Sequence, residues 1–107
     1  MVQYKVITVA QALDQLQRIL EYILEKDSIA RAQIVHDGII VAIESLENMP
    51  YRNSVYRTVK KTEKTYRFVP QWSYNIIYRI EDAPPVVNVV TIVKASRSSK
   101  EIEKYLQ

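Results

Sequence analysis

The apolar pattern of this chain changes period once, near Pro50, and that switch limits its possible folds more than any other feature. Before it, Leu13, Leu16, Leu20, Ile23 and Leu24 recur at three- and four-residue steps, the mark of an amphipathic helix. Asp14, Arg18, Glu21 and Glu25 fill the other side. Thr8 is placed to cap this helix, with Gln11 completing a capping-box pattern. Lys26-Asp27-Ser28 interrupts the pattern, and either Asp27 or Ser28 can cap a second helix. That helix carries Val35, Ile39, Ala42, Ile43, Leu46 and Met49 inward and stops before Pro50. So short a break predicts an antiparallel helix hairpin. Gly38, inside the second helix, costs about 1 kcal/mol, which predicts close packing against the first.

Beyond Pro50 the residues suit extended chain. Residues 51–64 read as a polar, basic connection with a short strand at most, and strands follow at 65–69, 74–80 and 86–93. Their links, Pro70-Gln71-Trp72-Ser73 and residues 81–85, are short enough to predict antiparallel neighbours. Along the middle strand Tyr74, Ile76, Tyr78 and Ile80 alternate with Asn75, Ile77 and Arg79. The first set is expected on the helices, with the tyrosine hydroxyls at the rim. The second set is expected on an open face that Arg67 shares. Residues 86–93 are apolar on both sides and predict a strand covered from both. Residues 2–7 form a further strand, and Ser98 or Ser99 caps a short C-terminal helix through Ile102, Tyr105 and Leu106. The fold class is α+β: an N-terminal strand, then a helix hairpin on one face of a small, mainly antiparallel sheet, then the short helix.

Composition removes whole classes of chemistry. At 107 residues, 48% hydrophobic and 25% charged, the chain is one ordinary globular domain, residues 1–107. With one glycine it can build neither a P-loop nor a dinucleotide fingerprint. With no cysteine and one histidine, it lacks the ligands of thiolate or multi-histidine metal sites, and no cofactor is expected. His36 is expected at the surface or satisfied within the fold. No apolar run exceeds five residues and the N-terminus has no secretion-signal pattern, which predicts a cytoplasmic protein away from the membrane.

Charge is divided unevenly. Residues 1–50 hold four Lys/Arg against seven Asp/Glu, net −3, and residues 51–107 hold eleven against five, net +6. A polyanion or an acidic target is therefore expected on the second half, at Arg57, Lys60, Lys61, Lys64, Arg67, Arg79, Lys94 and Arg97. Tyr51 and Tyr56 among these cations suit stacking on bases. Arg79 has a second use, pairing with Glu81. Trp72, at a turn, is either a partner contact or a lid on the core.

The order of elements resembles the RelE/ParE superfamily of bacterial type II toxins across nearly the whole chain. The most specific stretch is Tyr74-Asn75-Ile76-Ile77-Tyr78-Arg79, followed by the apolar strand and Lys94-Ala95-Ser96-Arg97. Leu16, Ile19, Tyr22 and Ile23 resemble the family's first helix, and Leu46, Met49 and Pro50 the end of its second. The resemblance implies a toxin neutralised by a cognate antitoxin. Of the two branches, RelE-like members are similar ribonucleases acting on messenger RNA at the ribosome, and ParE-like members poison DNA gyrase. Carried over, the nuclease positions fall on Asn75, Ala95 and Glu101, where the ribonucleases have arginine, arginine and tyrosine. That departure favours the ParE-like, plasmid-stabilisation branch. A rearranged ribonuclease would instead use Arg67, Lys94, Arg97 and Tyr105. An inactive binding module is the third reading.

Leu24, Ile29, Ile34, Ile77 and Arg79 are the expected antitoxin contacts, in a cleft between the helices and on the open sheet face. Ile19, Ile29, Ile34 and Ile40 exceed what one hairpin face can bury, which points to a partner that covers some of them.

Overall fold

The computed structural model describes residues 2–59 and 64–106. Its elements are β1 (Lys5–Thr8), α1 (Ala10–Lys26), α2 (Ile29–Glu44), β2 (Val55–Val59), β3 (Lys64–Gln71), β4 (Tyr74–Asp82), β5 (Pro85–Lys94) and α3 (Ser99–Glu103). Two 3-10 turns, Ser45–Glu47 and Pro50–Arg52, join α2 to β2. The five strands form one sheet in the order β1-β5-β4-β3-β2. Only the β1–β5 pair is parallel; the other three are antiparallel. The architecture is the expected α+β.

The rotation of α1 departs from the sequence reading. Ala12, Leu16 and Ile23 are buried, with Ile19 and Leu20 packed beside them, whereas Leu13 is 54% exposed and Leu24 50%. The reason lies at the start of the helix. Thr8 is committed to the β1–β5 pairing opposite Val89, so it does not cap. The Val9 N–H donates to the Val89 carbonyl at 3.1 Å, and Gln11 Nε2 donates to the Val90 carbonyl at 2.7 Å. These bonds clamp α1 onto β5 with Ala12 inward, where a methyl side chain permits close approach. Further on, Ser28 caps α2 by accepting from the Arg31 N–H at 3.0 Å, and Asp27 closes α1.

α2 buries Val35, Ile39, Ala42 and Ile43, continued by Leu46. Met49 does not follow them: it sits in the left-handed region (φ 50°) and is exposed, because the chain reverses there into Pro50. Gly38 packs tightly, but against the β3–β4 turn and not α1. A Cβ built on it would strike Trp72 Nε1 and come within 2.9 Å of Gln71 Nε2. Trp72 has left-handed backbone (φ 55°), lies over α2 half exposed, and has the Arg31 guanidinium 5.8 Å from its ring centre.

The sheet carries two cores. Tyr74, Ile76, Tyr78, Val87, Val89 and Ile92 meet the helices. On the other face Tyr66, Ile77, Val90 and Val93 are sealed by Ile102 of α3. Ile77 is therefore wholly buried, so the open face expected around it does not exist there. β5 is covered on both sides, as its composition predicts, and contributes to both cores.

Candidate functional site

Five cations of the second half, Lys64, Arg67, Arg79, Lys94 and Arg97, line two clefts. One lies between α1, the end of β5 and the C-terminal segment, and encloses about 300 Å³. Gln15, Arg18 and Tyr22 reach it from α1, Tyr74 and Lys94 from the paired ends of β4 and β5, and Arg97 and Tyr105 from the chain beyond. The second, about 510 Å³, is bounded by Tyr51, Lys64, Thr65, Arg67, Arg79, Ile80 and Glu81.

Sheet register explains the separation. Lys94 opposes Tyr74, while Arg67 opposes Tyr78 four residues further along β4. At about 3.3 Å per residue and about 4.8 Å per strand, that is roughly 13 Å along the sheet and two strand spacings across it. Lys94, Arg97 and Tyr105 therefore share one cleft, and Arg67 belongs to the other. Arg67 also faces the helices beside Tyr78 and not the face of Arg79, which corrects the expected grouping.

Both arginines of the larger cleft are held by their own protein. Arg67 Nη1 donates to the carbonyls of Asn53 at 2.7 Å and Tyr51 at 3.2 Å, and its guanidinium lies 5.1 Å from the Tyr51 ring centre. Arg79 Nη1 pairs with Glu81 Oε1 at 2.7 Å, while its buried Nε has no partner among the described residues. Nearby, Asp82 accepts from the Tyr51 hydroxyl at 2.6 Å and the Tyr4 hydroxyl at 2.8 Å. Arg57 lies on β2 opposite Tyr66, and Lys60 and Lys61 fall outside the described residues.

The smaller cleft is differently furnished. Lys94 Nζ sits 5.3 Å from the Tyr22 ring centre, and Arg18 reaches Asp14 at 3.2 Å on the exposed surface. Tyr105 is fastened at its backbone, where Gln11 Nε2 donates to its carbonyl at 2.7 Å, and at its phenol, which bonds Gln15 and Arg97. The Gln15 bond is the main force holding this phenol below its usual titration range; burial opposes it, and nearby Lys104 and Arg97 add smaller effects in the same direction as Gln15. Burial pushes the Tyr74 phenol up. Chemically, the cleft can hold an anion. Among the described residues, no carboxylate and no histidine lines it.

Gln11, Gln15, Arg18 and Tyr22 are the residues that sequence reading missed. Their spacing of four, three and four marks one stripe of α1, a signal hidden beside the apolar stripe. His36, exposed on α2, bonds Asp37 at 3.0 Å. Among the described residues no group of three or more His, Cys, Asp or Glu is placed to hold a metal, and no helix is long and apolar enough to cross a membrane.

Leu24 and Ile29 border a shallow groove between the helices with Leu20 and Ala32, and Ile29 is 78% exposed. Ile34 borders a second apolar hollow with Val41 and Trp72.

An N-terminal strand, a helix hairpin on a mixed five-stranded sheet and a short C-terminal helix make up the α+β fold of small bacterial toxins of the RelE/ParE kind. Residues 6–99 match the family of ParE toxins of type II toxin-antitoxin systems, and the chain belongs to that family. No curated protein sequence matches it. Among solved structures it is similar to a chain of the chromosomal ParDE system of P. aeruginosa, with a TM-score of 0.72 at 11% identity over 88% of this chain and 98% of that one. It is also similar to a chain of the RelBE2 toxin-antitoxin complex of Mycobacterium tuberculosis, with a TM-score of 0.56 at 20% identity over 91% of this chain and 97% of that one.

Proposed function

We propose that this toxin arrests bacterial growth in the cytoplasm by acting on DNA gyrase, and that a cognate antitoxin neutralises it by covering Leu24, Ile29 and Ile34. The match to the ParE toxin family across residues 6–99 carries the reading. The chemistry of the clefts supports it. Cutting RNA without a metal needs a base for the 2′-hydroxyl, an acid for the leaving oxygen and cations at the phosphate. Lys94 and Arg97 supply cations, but the other titratable groups beside them among the described residues of the cleft are, Arg18 aside, phenols, whose ordinary pKa is about 10. Arg67 lies in the other cleft and is engaged by two carbonyls. Lys94 and Arg97 are then contacts for the target rather than parts of a catalytic site.

One observation favours a second reading. Lys94, Arg97 and Tyr105 line one cleft, and the phenol is shifted toward easier deprotonation, which suits a messenger-RNA endoribonuclease acting at the ribosome. Pulse labelling after brief induction of the chain alone separates the readings. DNA synthesis is expected to stop first. Protein synthesis stopping first, with loss of the effect in the Lys94→Ala/Arg97→Ala variant, would overturn the gyrase reading in favour of cleavage. Unimpeded growth would indicate a binding module without toxicity.

A further inference from the structure

The sheet forks beside the larger cleft. The β3–β4 ladder runs from Gln71 opposite Tyr74 to Arg67 opposite Tyr78 and stops there, although β3 begins at Lys64 and β4 continues to Asp82. Beyond the fork β3 stays with β2, Lys64 opposite Val59 and Tyr66 opposite Arg57. The end of β4 stays with β5, Arg79 opposite Asn88 and Asp82 opposite Pro85. Backbone N–H and C=O groups of a strand alternate between its two sides, so part of those on residues 79–82 point into the fork. Among the described residues no strand is paired to 79–82 on that side. An open strand edge of this kind is a template for another chain.

The recess in the fork, about 510 Å³, sets Lys64, Arg67 and Arg79 against one carboxylate, Glu81. Glu81 is taken up by Arg79 Nη1, and the two carbonyls on Arg67 Nη1 are neutral, so positive charge is left over. The buried Arg79 Nε is a further donor without a partner among the described residues. Carboxylate and phosphate both suit a guanidinium, and the strand edge decides between them. A peptide in extended form matches its ladder, whereas a nucleic acid has no amide repeat to offer. Bases would also need a ring to stack on. Tyr51, the aromatic residue of this wall, already holds the Arg67 guanidinium against its ring and is tied through its hydroxyl to Asp82. We propose that the fork takes an extended acidic segment of the toxin's protein target as an added strand, its backbone along residues 79–82 and its carboxylates toward Lys64, Arg67 and Arg79. The assignment rests on the reading that the target is a protein. Leu24 and Ile29, given to the antitoxin, lie at the other end of α2, whose 16 residues span roughly 24 Å, so the two surfaces are separate.

Fluorescence anisotropy of the full chain, freed of antitoxin, tests this with a labelled peptide of alternating Glu and Val. Saturable binding is expected, with a Lys/Val counterpart at least about tenfold weaker. N-methylation of alternate amides removes ladder donors and keeps every side chain; in one of its two phases it should weaken binding about tenfold or more. Arg79→Gln and the exposed Lys64→Ala are each expected to weaken it about tenfold, the loss of one charge-assisted bond. Glu81→Gln frees Arg79 from its internal partner and should tighten binding about threefold or more, which a merely structural residue would not do. Lys26→Ala, at the end of α1, should leave it unchanged, and circular dichroism checks that each variant is folded. Absence of saturable binding, equal binding of both N-methylated peptides, or easier displacement by oligouridylate than by unlabelled peptide would overturn the proposal. Inhibition of gyrase supercoiling is read separately. If the peptide binds as expected and the chain leaves gyrase untouched, the fork stands and gyrase is the wrong target. If the parent and the Lys64→Ala/Arg79→Gln variant inhibit gyrase alike, gyrase stands and the fork is not its contact.

Discussion

Tyr78 is wholly buried, yet its hydroxyl is fully used: it donates to the Pro50 carbonyl at 2.6 Å and accepts from Asn53 Nδ2 at 3.0 Å. The alternation of residues 74–80 is enough to place this ring on the helices. It cannot say that the loop after Pro50 folds down over the phenol, which takes the hydroxyl from the expected rim into the interior. Tyr78→Phe takes this partner from the buried Pro50 carbonyl and the half-buried Asn53 amide, and should cost about 1–3 kcal/mol. Thermal unfolding would show this as a Tm lower by roughly 4 °C or more per kcal/mol. An unchanged Tm would mean that water replaces the phenol without penalty. Gly38 teaches the same lesson. Its demand for a close neighbour is legible in the sequence, but Trp72, the neighbour, arrives from a turn that only the β3–β4 pairing brings there.

At the scale of elements, the helices, the three long strands and their antiparallel order follow from periodicity and link length. What periodicity cannot supply is contact between distant segments. α1 takes its rotation from hydrogen bonds to β5, and α3 closes a sheet face that alternation alone leaves open. The joint between β1, the Pro50–Arg52 turn and β4 is of this kind, with Asp82 accepting from both Tyr4 and Tyr51. Tyr51, then Tyr4, hold the Asp82 carboxyl below its usual range. The same bond to Asp82, more than burial, pushes the Tyr51 phenol up to about 12. A lowered carboxyl stabilises the fold above its unfolded pKa, about 3.9, and that support goes as pH falls through the folded value. A raised phenol stabilises the fold below about pH 10, and that support is lost as pH climbs toward 12. Asp82→Ala should therefore lower Tm between about pH 5 and 9 and converge on the parent at both extremes. Parallel Tm curves across the whole range would show that the joint carries no weight.

Across the whole molecule, charge and apolar surface lie on different sides. The acidic first half supplies the helix hairpin, whose outer side exposes Leu24, Ile29, Ile34 and Val41, with Trp72 beside them. The basic second half supplies the larger cleft and, with Gln15, Arg18, Ile19 and Tyr22 of α1, the smaller one. A toxin that must meet an antitoxin and a target can use such a division to keep the two surfaces apart. The site was legible only in part for the same reason: residue type reveals cations and spare isoleucines, whereas register decides that Arg67 leaves Lys94 and that Ile77 is enclosed. The apolar side gives a direct test. Ile29, 78% exposed, and Val41, 65% exposed, contribute little to the core, so Ile29→Asp/Val41→Asp should fold normally. Without antitoxin the parent chain should self-associate at high concentration and the variant should remain monomeric, read by light scattering after size exclusion. The variant should also bind antitoxin at least about tenfold more weakly, as expected when interface anchors are lost. If the parent is monomeric and the variant binds antitoxin as tightly, the hairpin's outer side is ordinary surface and the partner docks elsewhere.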